Sequence, residues 1–182
     1  MTSALLFTCS SGGDNSDDMQ DDDDGNQEIV VTANVNGDEF EVSFENAIVD
    51  LSYAFFSNQL RFICVTDTEF MIDNEAITIT VFFDDIDDLV EGVEWDSAEL
   101  DFVNTSIRGI YQAQDDASGE AVNSTTDDTL NAYLKITSLD MDTMLISGEF
   151  NFVAQDEVDG ELKTYTISNG VFTDVKFQDD TE

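Results

Sequence analysis

From Gln27 onward, the apolar residues of this chain recur at every second position, which is the spacing of a β-strand and not of a helix. Phe40, Val42 and Phe44, for example, face one way, and the polar residues between them face the other. The close spacing of such runs predicts an all-β fold of about nine or ten strands with at most one short helix. We expect a single antiparallel β-sandwich, with a β-barrel as the alternative. The runs lie near 29–35, 39–45, 49–53, 60–64, 77–83, 130–136, 144–152 and 165–177.

Glycines mark the points where this alternation is interrupted. Asn36-Gly37 lies between two alternating runs and predicts a type I′ hairpin, because that turn needs positive φ at both central residues. Asn169-Gly170 predicts a tight turn before the last strand. Gly148 lies inside a run, where glycine indicates a bulge or a close backbone approach.

The composition excludes several classes of function. Of 182 residues, 41% are apolar and 14 are Phe, so the chain can bury a core. It carries 42 Asp and Glu against 5 Lys and Arg, a net charge of −37 that repels nucleic acid. Because His is absent, the chain has no Ser-His-Asp or Cys-His machinery and no imidazole metal site. We therefore predict no catalytic residues and a protein that is not an enzyme; a hydrolase that uses a pair of carboxylates is the alternative that the composition leaves open.

The N-terminal segment predicts a lipid anchor. An apolar stretch precedes Cys9, and a Ser/Gly stretch with many aspartates follows it. We interpret residues 1–9 as an incomplete lipoprotein signal peptide ending at the lipid cysteine, with the true start upstream. Residues 10–26 are predicted to be an acidic disordered tether, and residues 27–182 the antiparallel β domain. Cys9 would carry acyl chains such as palmitate and hold the protein at the outer membrane, facing the periplasm or the cell surface.

Cys64 has no disulfide partner if Cys9 is acylated. It lies on the same face of an alternating run as Leu60 and Phe62. A reactive thiol needs an exposed, electropositive setting, so we predict that Cys64 is a small buried hydrophobe.

The acidic runs permit two interpretations of metal binding. No stretch meets the EF-hand spacing, and a metal-free domain is the first interpretation. The alternative is a loose Ca²⁺ site formed by Asp84, Asp85, Asp87 and Asp88, on a segment that also predicts one or two helical turns.

The aromatic residues also permit two interpretations. Aromatic side chains in strands usually belong to the core or to cross-strand pairs. The alternative is a sugar-stacking platform on the surface, which would suit a calcium-dependent carbohydrate-binding module. The candidates for that platform are Trp95, Tyr53, Tyr111, Tyr133 and Tyr165.

Three motifs resemble a family of small lipoproteins from Bacteroidetes-type bacteria, known as domain of unknown function 6252. They are TANVNGDEF at 32–40, ISGEFNF at 146–152 and ISNGVF at 167–172. The resemblance implies a lipoprotein without enzyme activity, in which acidic residues after the lipid cysteine direct export to the cell surface. Ser16-Asp17-Asp18 is similar to such a signal.

Together these features predict a non-enzymatic, membrane-anchored lipoprotein with a binding, adhesion or envelope role. Its expected partners are the membrane, through the lipid on Cys9, and a polysaccharide or an envelope protein. Nucleic acid is excluded by the charge. The alternative function is the calcium-dependent carbohydrate-binding module.

Overall fold

The computed structural model describes residues 28–54, 57–66, 74–97, 106–114, 121–126, 131–158 and 160–180. Within these ranges it contains eleven strands and two short 3₁₀ turns, Phe44–Asn46 and Ile86–Asp88, which confirms the all-β prediction with more strands than expected. The strands are β1 (Ile29–Val35), β2 (Asp38–Ser43), β3 (Ala47–Ala54), β4 (Ser57–Val65), β5 (Ala76–Phe83), β6 (Glu94–Asp96), β7 (Ser106–Gln114), β8 (Ala121–Thr125), β9 (Ala132–Asp140), β10 (Leu145–Val158) and β11 (Glu161–Asp180).

All eleven strands belong to one sheet, in the order β2-β1-β11-β3-β4-β5-β7-β8-β10-β9-β6. Because β10 also pairs with β11, the sheet closes on itself through β11, β3, β4, β5, β7, β8 and β10. The two layers expected of a sandwich are therefore joined by hydrogen bonds. One portion consists of β2, β1, β11, β10, β9 and β6, and the other of β3, β4, β5, β7 and β8.

One strand pair departs from the predicted antiparallel arrangement: β11 and β3 run parallel, with Phe177 opposite Val49. The closure of the sheet explains this parallel pair. The closed part contains seven strands, and an odd number of strands cannot alternate in direction all the way round. At least one pair must then be parallel, so the prediction of a purely antiparallel domain was wrong.

Phenylalanine rings join the two portions across the core. Phe62 on β4 stacks on Phe172 of β11 with ring centroids 4.6 Å apart, and lies 5.6 Å from Phe150 of β10. These side chains belong to one continuous cluster of buried residues. Cys64 is fully buried in the same cluster, as predicted, and this burial raises the pKa of its thiol.

Gly148 makes room for one of these rings. A Cβ atom at this position would lie 2.4 Å from the ring of Phe172 and 2.5 Å from the backbone oxygen of Lys135. The strand registers also shift here, so the predicted bulge with a close approach is confirmed. Gly170 does the same for Phe150, whose ring lies 2.5 Å from the position that a Cβ atom would take.

The Asn36-Gly37 hairpin is confirmed, since φ is +53° at Asn36 and +98° at Gly37. The predicted turn at Asn169-Gly170 is wrong, because β11 runs through it without a break. Asn169 instead adopts φ +52° within a bulge, where the β10–β11 register shifts. The positive φ of Asn169 therefore belongs to a bulge and not to a chain reversal.

Phe44 is also placed differently from the prediction. The alternation puts it in the core with Phe40 and Val42, but β2 ends at Ser43 and the chain enters a 3₁₀ turn. That turn rotates the side chain outward, leaving Phe44 41% exposed.

Candidate functional site

The outer face of the six-strand portion carries two adjoining cavities of about 260 and 320 Å³. They share Tyr133 and Asn151. We call the row of side chains that runs through them the Tyr133 surface. It consists of Asp96, Tyr133, Asn151, Asn169 and Asn34.

Strand register places the centre of this surface. Tyr133 on β9 lies directly opposite Asp96 on β6 and Asn151 on β10. Asn151 is exposed because its neighbours Phe150 and Phe152 are buried, and successive strand residues point to opposite faces. The local alternation therefore puts an amide beside the tyrosine ring.

The bulge in β11 extends the row toward β1. There the Asn169 side-chain amide donates a hydrogen bond to Oδ1 of Asn34 on β1, at 3.0 Å. The row thus crosses β6, β9, β10, β11 and β1, a width of roughly 19 Å at the usual spacing between strands. This length suits a ligand of several linked units.

Tyr133 keeps its proton in this setting. Its partial burial and then the nearby Glu94 carboxylate raise the pKa of Tyr133 above the ordinary value. Glu94 itself pairs with Lys135, at 2.6 Å, and this hydrogen bond raises the pKa of Lys135. The phenol therefore remains available as both hydrogen-bond donor and acceptor at neutral pH.

The central polar groups face solvent without internal partners. Within the described ranges, the side chains of Tyr133 and Asn151 make no hydrogen bond to another residue. A carboxamide and a hydroxyl each donate and accept, so both can satisfy ligand hydroxyls. Glu149 lines one cavity and Asp96 the other, which makes the surface unfavourable for anions.

Comparison with known proteins adds no relative. No protein-family model, curated protein or solved structure matches this chain. The resemblance to domain of unknown function 6252 thus remains a prediction from the three sequence motifs. The function must be inferred from the geometry of the site.

The aromatic platform centred on Trp95 does not form. Trp95 is only 3% exposed and packs against Phe83, with ring centroids 5.9 Å apart. Tyr111 is also buried and packs against Tyr165, with ring centroids 5.0 Å apart. Tyr53 is exposed on β3, and of the five predicted platform residues only Tyr133 lines the two adjoining cavities.

The four aspartates proposed as a Ca²⁺ site lie on an exposed segment. The Asp85 carboxylate accepts a hydrogen bond from the backbone N–H of Asp87, at 3.0 Å, and thereby caps the 3₁₀ turn Ile86–Asp88. Asp84 and Asp88 are exposed beside it. Among the residues that the structure describes, no three acidic or thiol side chains come together as metal ligands.

The predicted lipid-attachment residue Cys9, the signal segment 1–9 and the tether 10–26 lie outside the described residues. In the part that the structure describes, no helix is long and apolar enough to cross a membrane. Acylation of Cys9 remains a prediction from the sequence.

A second surface was not predicted. An open groove of about 510 Å³ lies at the start of β3 and the end of β4, and we call it the apolar groove. Ile48 and Ile63 form its floor on the outer face of the sheet, where alternation would usually place polar residues. Apolar residues at these outward positions were the sequence signal that could have revealed it. Its other principal lining residues are Phe44, Val65 and Lys176.

Proposed function

We propose that this protein is a non-enzymatic, lipid-anchored envelope protein that binds an uncharged glycan through the Tyr133 surface. The proposal rests on the composition of the Tyr133 surface. This surface combines an aromatic ring with several carboxamides across five neighbouring strands. Acylation at Cys9 would hold the domain at the outer membrane.

The chemistry of the row favours a sugar over other ligands. Sugar hydroxyls donate and accept hydrogen bonds, as the side chains of Asn151 and Asn169 do. The ring of Tyr133 offers an apolar face for the C–H groups of a sugar. Nearby carboxylates, together with the net charge of −37, oppose nucleic acid and anionic polysaccharides.

The first described residue, Glu28, and the Tyr133 surface lie at different levels of the sheet. The backbone oxygen of Glu28, the first described residue, accepts a hydrogen bond from the backbone N–H of Phe44, at 3.0 Å. From there β1 leads to Asn34, roughly 20 Å away at the rise of a strand. This separation supports a tethered domain that presents the Tyr133 surface away from its point of attachment.

Glycan binding is tested with the full chain and a panel of neutral glucans, galactans and mannans, alongside an anionic polygalacturonate. For a neutral member that binds, Tyr133→Ala should weaken affinity at least about tenfold in calorimetry, while Tyr133→Phe keeps the ring and should lose less. Asn123→Ala, at an exposed strand position outside the row, is the control. Failure of every neutral glycan to bind, or equal affinity of Tyr133→Ala, would contradict the proposal.

Calcium separates this proposal from the alternative predicted from the sequence. Binding through the Tyr133 surface should be the same in millimolar Ca²⁺ and in EDTA at matched ionic strength. Loss of binding in EDTA that is reproduced by Asp84→Asn with Asp87→Asn would instead establish the calcium-dependent module.

The anchor has its own test, independent of glycan binding. Expressed behind a complete lipoprotein signal peptide, the protein should incorporate a clickable fatty-acid analogue and fractionate with membranes. Cys9→Ser should abolish both, with Cys64→Ser as the matched control. Membrane retention of the Cys9→Ser protein would show that the anchor proposal is wrong.

A further inference from the structure

The apolar groove has the chemistry of a site for a chain-like apolar ligand. Ile48 and Ile63 lie directly opposite each other on β3 and β4, and both are half-buried on the outer face. Val65 continues this floor, and the exposed Phe44 ring forms a wall. In a chain with 42 acidic residues, an apolar recess of about 510 Å³ is a local exception.

A basic side chain lies at the apolar groove. Lys176, on β11, lines it and is exposed to solvent. Among the described residues, no carboxylate lies within ion-pair distance of Lys176, whereas Arg61 and Lys135 are each paired. Glu45 also lines the groove but remains beyond that distance.

We propose that the apolar groove binds a single-chain anionic amphiphile, a free fatty acid, with its alkyl chain on Ile48 and Ile63 and its carboxylate at Lys176. The proposal goes beyond glycan binding and involves none of the residues of the Tyr133 surface. Charge complementarity selects this occupant, because the Lys176 ammonium at the groove attracts a carboxylate. Lys176 is one of only 5 basic residues in the chain.

The negative charge of the protein does not prevent this binding at moderate salt. At physiological ionic strength, charges more than about 8 Å from the carboxylate are largely screened. The apolar contacts supply most of the affinity, and Lys176 contributes selectivity for an anion. Glu45 opposes it, so removing that charge should tighten binding.

The test uses the full chain with Cys9→Ser, so that no attached acyl chain competes. Decanoate and its uncharged analogue 1-decanol are titrated below micelle-forming concentrations by calorimetry. Lys176→Gln should weaken decanoate about three- to fivefold with little effect on decanol, the size expected of an exposed ion pair. Glu45→Gln should tighten decanoate and leave decanol unchanged.

Ile63→Asp tests the floor of the groove and should weaken both ligands at least about tenfold. Retained protection of the Cys64 thiol shows that this variant is folded. Absence of saturable decanoate binding, or unchanged affinity in both Ile63→Asp and Lys176→Gln, would overturn the proposal. So would a wild-type dimer that Ile63→Asp converts to monomer without any decanoate binding, since a second copy would then occupy the groove.

Discussion

The two halves of the closed sheet differ in the regularity of their strand pairing. From β3 through β4 and β5 to β7, every register is continuous. In contrast, β1, β9, β10 and β11 contain register shifts, and Asn169 and Asp174 adopt positive φ there. The regular half carries the apolar groove, and the irregular half carries the Tyr133 surface.

This difference shows how a sheet can form a polar site without losing its core. In both halves a glycine lets a phenylalanine ring pack directly on the backbone, as Phe172 does over Gly148 and Phe152 does over Gly109 of β7, but in the irregular half this packing is accompanied by bulges. These bulges change the direction in which neighbouring side chains point. The side chain of Asn169 reaches Asn34 in this way. In the regular half, each side chain keeps the face that alternation assigns to it.

Gly148→Ala should have the largest effect on stability and would sharpen this comparison. The new Cβ would collide with Phe172 and with the Lys135 backbone oxygen, which cannot move aside easily. We expect a loss of about 3 kcal/mol in the free energy of unfolding, measured by urea denaturation. Thr78→Ala, in the regular half, should cost less than about 1 kcal/mol. Equal losses in the two variants would remove the proposed distinction.

The Cys64 thiol reports directly on the regular half. In the Cys9→Ser background its reaction with a thiol reagent should be at least about a hundredfold slower than in urea-unfolded protein, because the side chain is buried and its pKa is raised. If the halves unfold together, Gly148→Ala should accelerate this labelling. Unchanged labelling in a clearly destabilised Gly148→Ala protein would show that the halves open separately.

Asn169→Val tests the bulge and should cost about 1–2 kcal/mol, because a β-branched residue tolerates φ +52° poorly. Asn169→Gly removes the same amide but accepts this backbone conformation, so it should be the more stable of the two variants. The comparison is made by thermal unfolding. A reversed order would mean that the side-chain hydrogen bond to Asn34, and not the backbone, decides the stability of the bulge.

The smallest effect is expected at the turn between β9 and β10. Hydrogen bonds from Thr143 and from the backbone of Asp142 lower the pKa of Asp140. A lowered pKa in the folded protein stabilises it above the ordinary carboxyl pKa, and this contribution disappears as the pH falls through the folded value. Asp140→Ala should therefore lower the melting temperature slightly at neutral pH, and the difference should vanish in acid. Asp142→Ala is the control, and a difference that persists in acid would contradict this origin.

Local patterns in the sequence were sufficient for features that depend on neighbouring residues only. Alternation alone assigned Phe62 and Cys64 of the regular half to the core, and Asn36-Gly37 identified the hairpin between β1 and β2 in the irregular half. Gly148 was identified as a close approach for the same reason. The sequence did not reveal that Phe44 turns outward, since the strand ends one residue earlier.

By itself the sequence determined the all-β class, the buried faces of the regular strands and a surface dominated by negative charge. Only the tertiary structure decided the closure of the sheet, with its parallel pair, and the assembly of the Tyr133 surface. Asn34 and Asn169 lie 135 residues apart in the chain and meet through pairings that no local pattern specifies. Such long-range registers depend on how the phenylalanine rings pack over glycines inside the closed sheet, which is a property of the whole core.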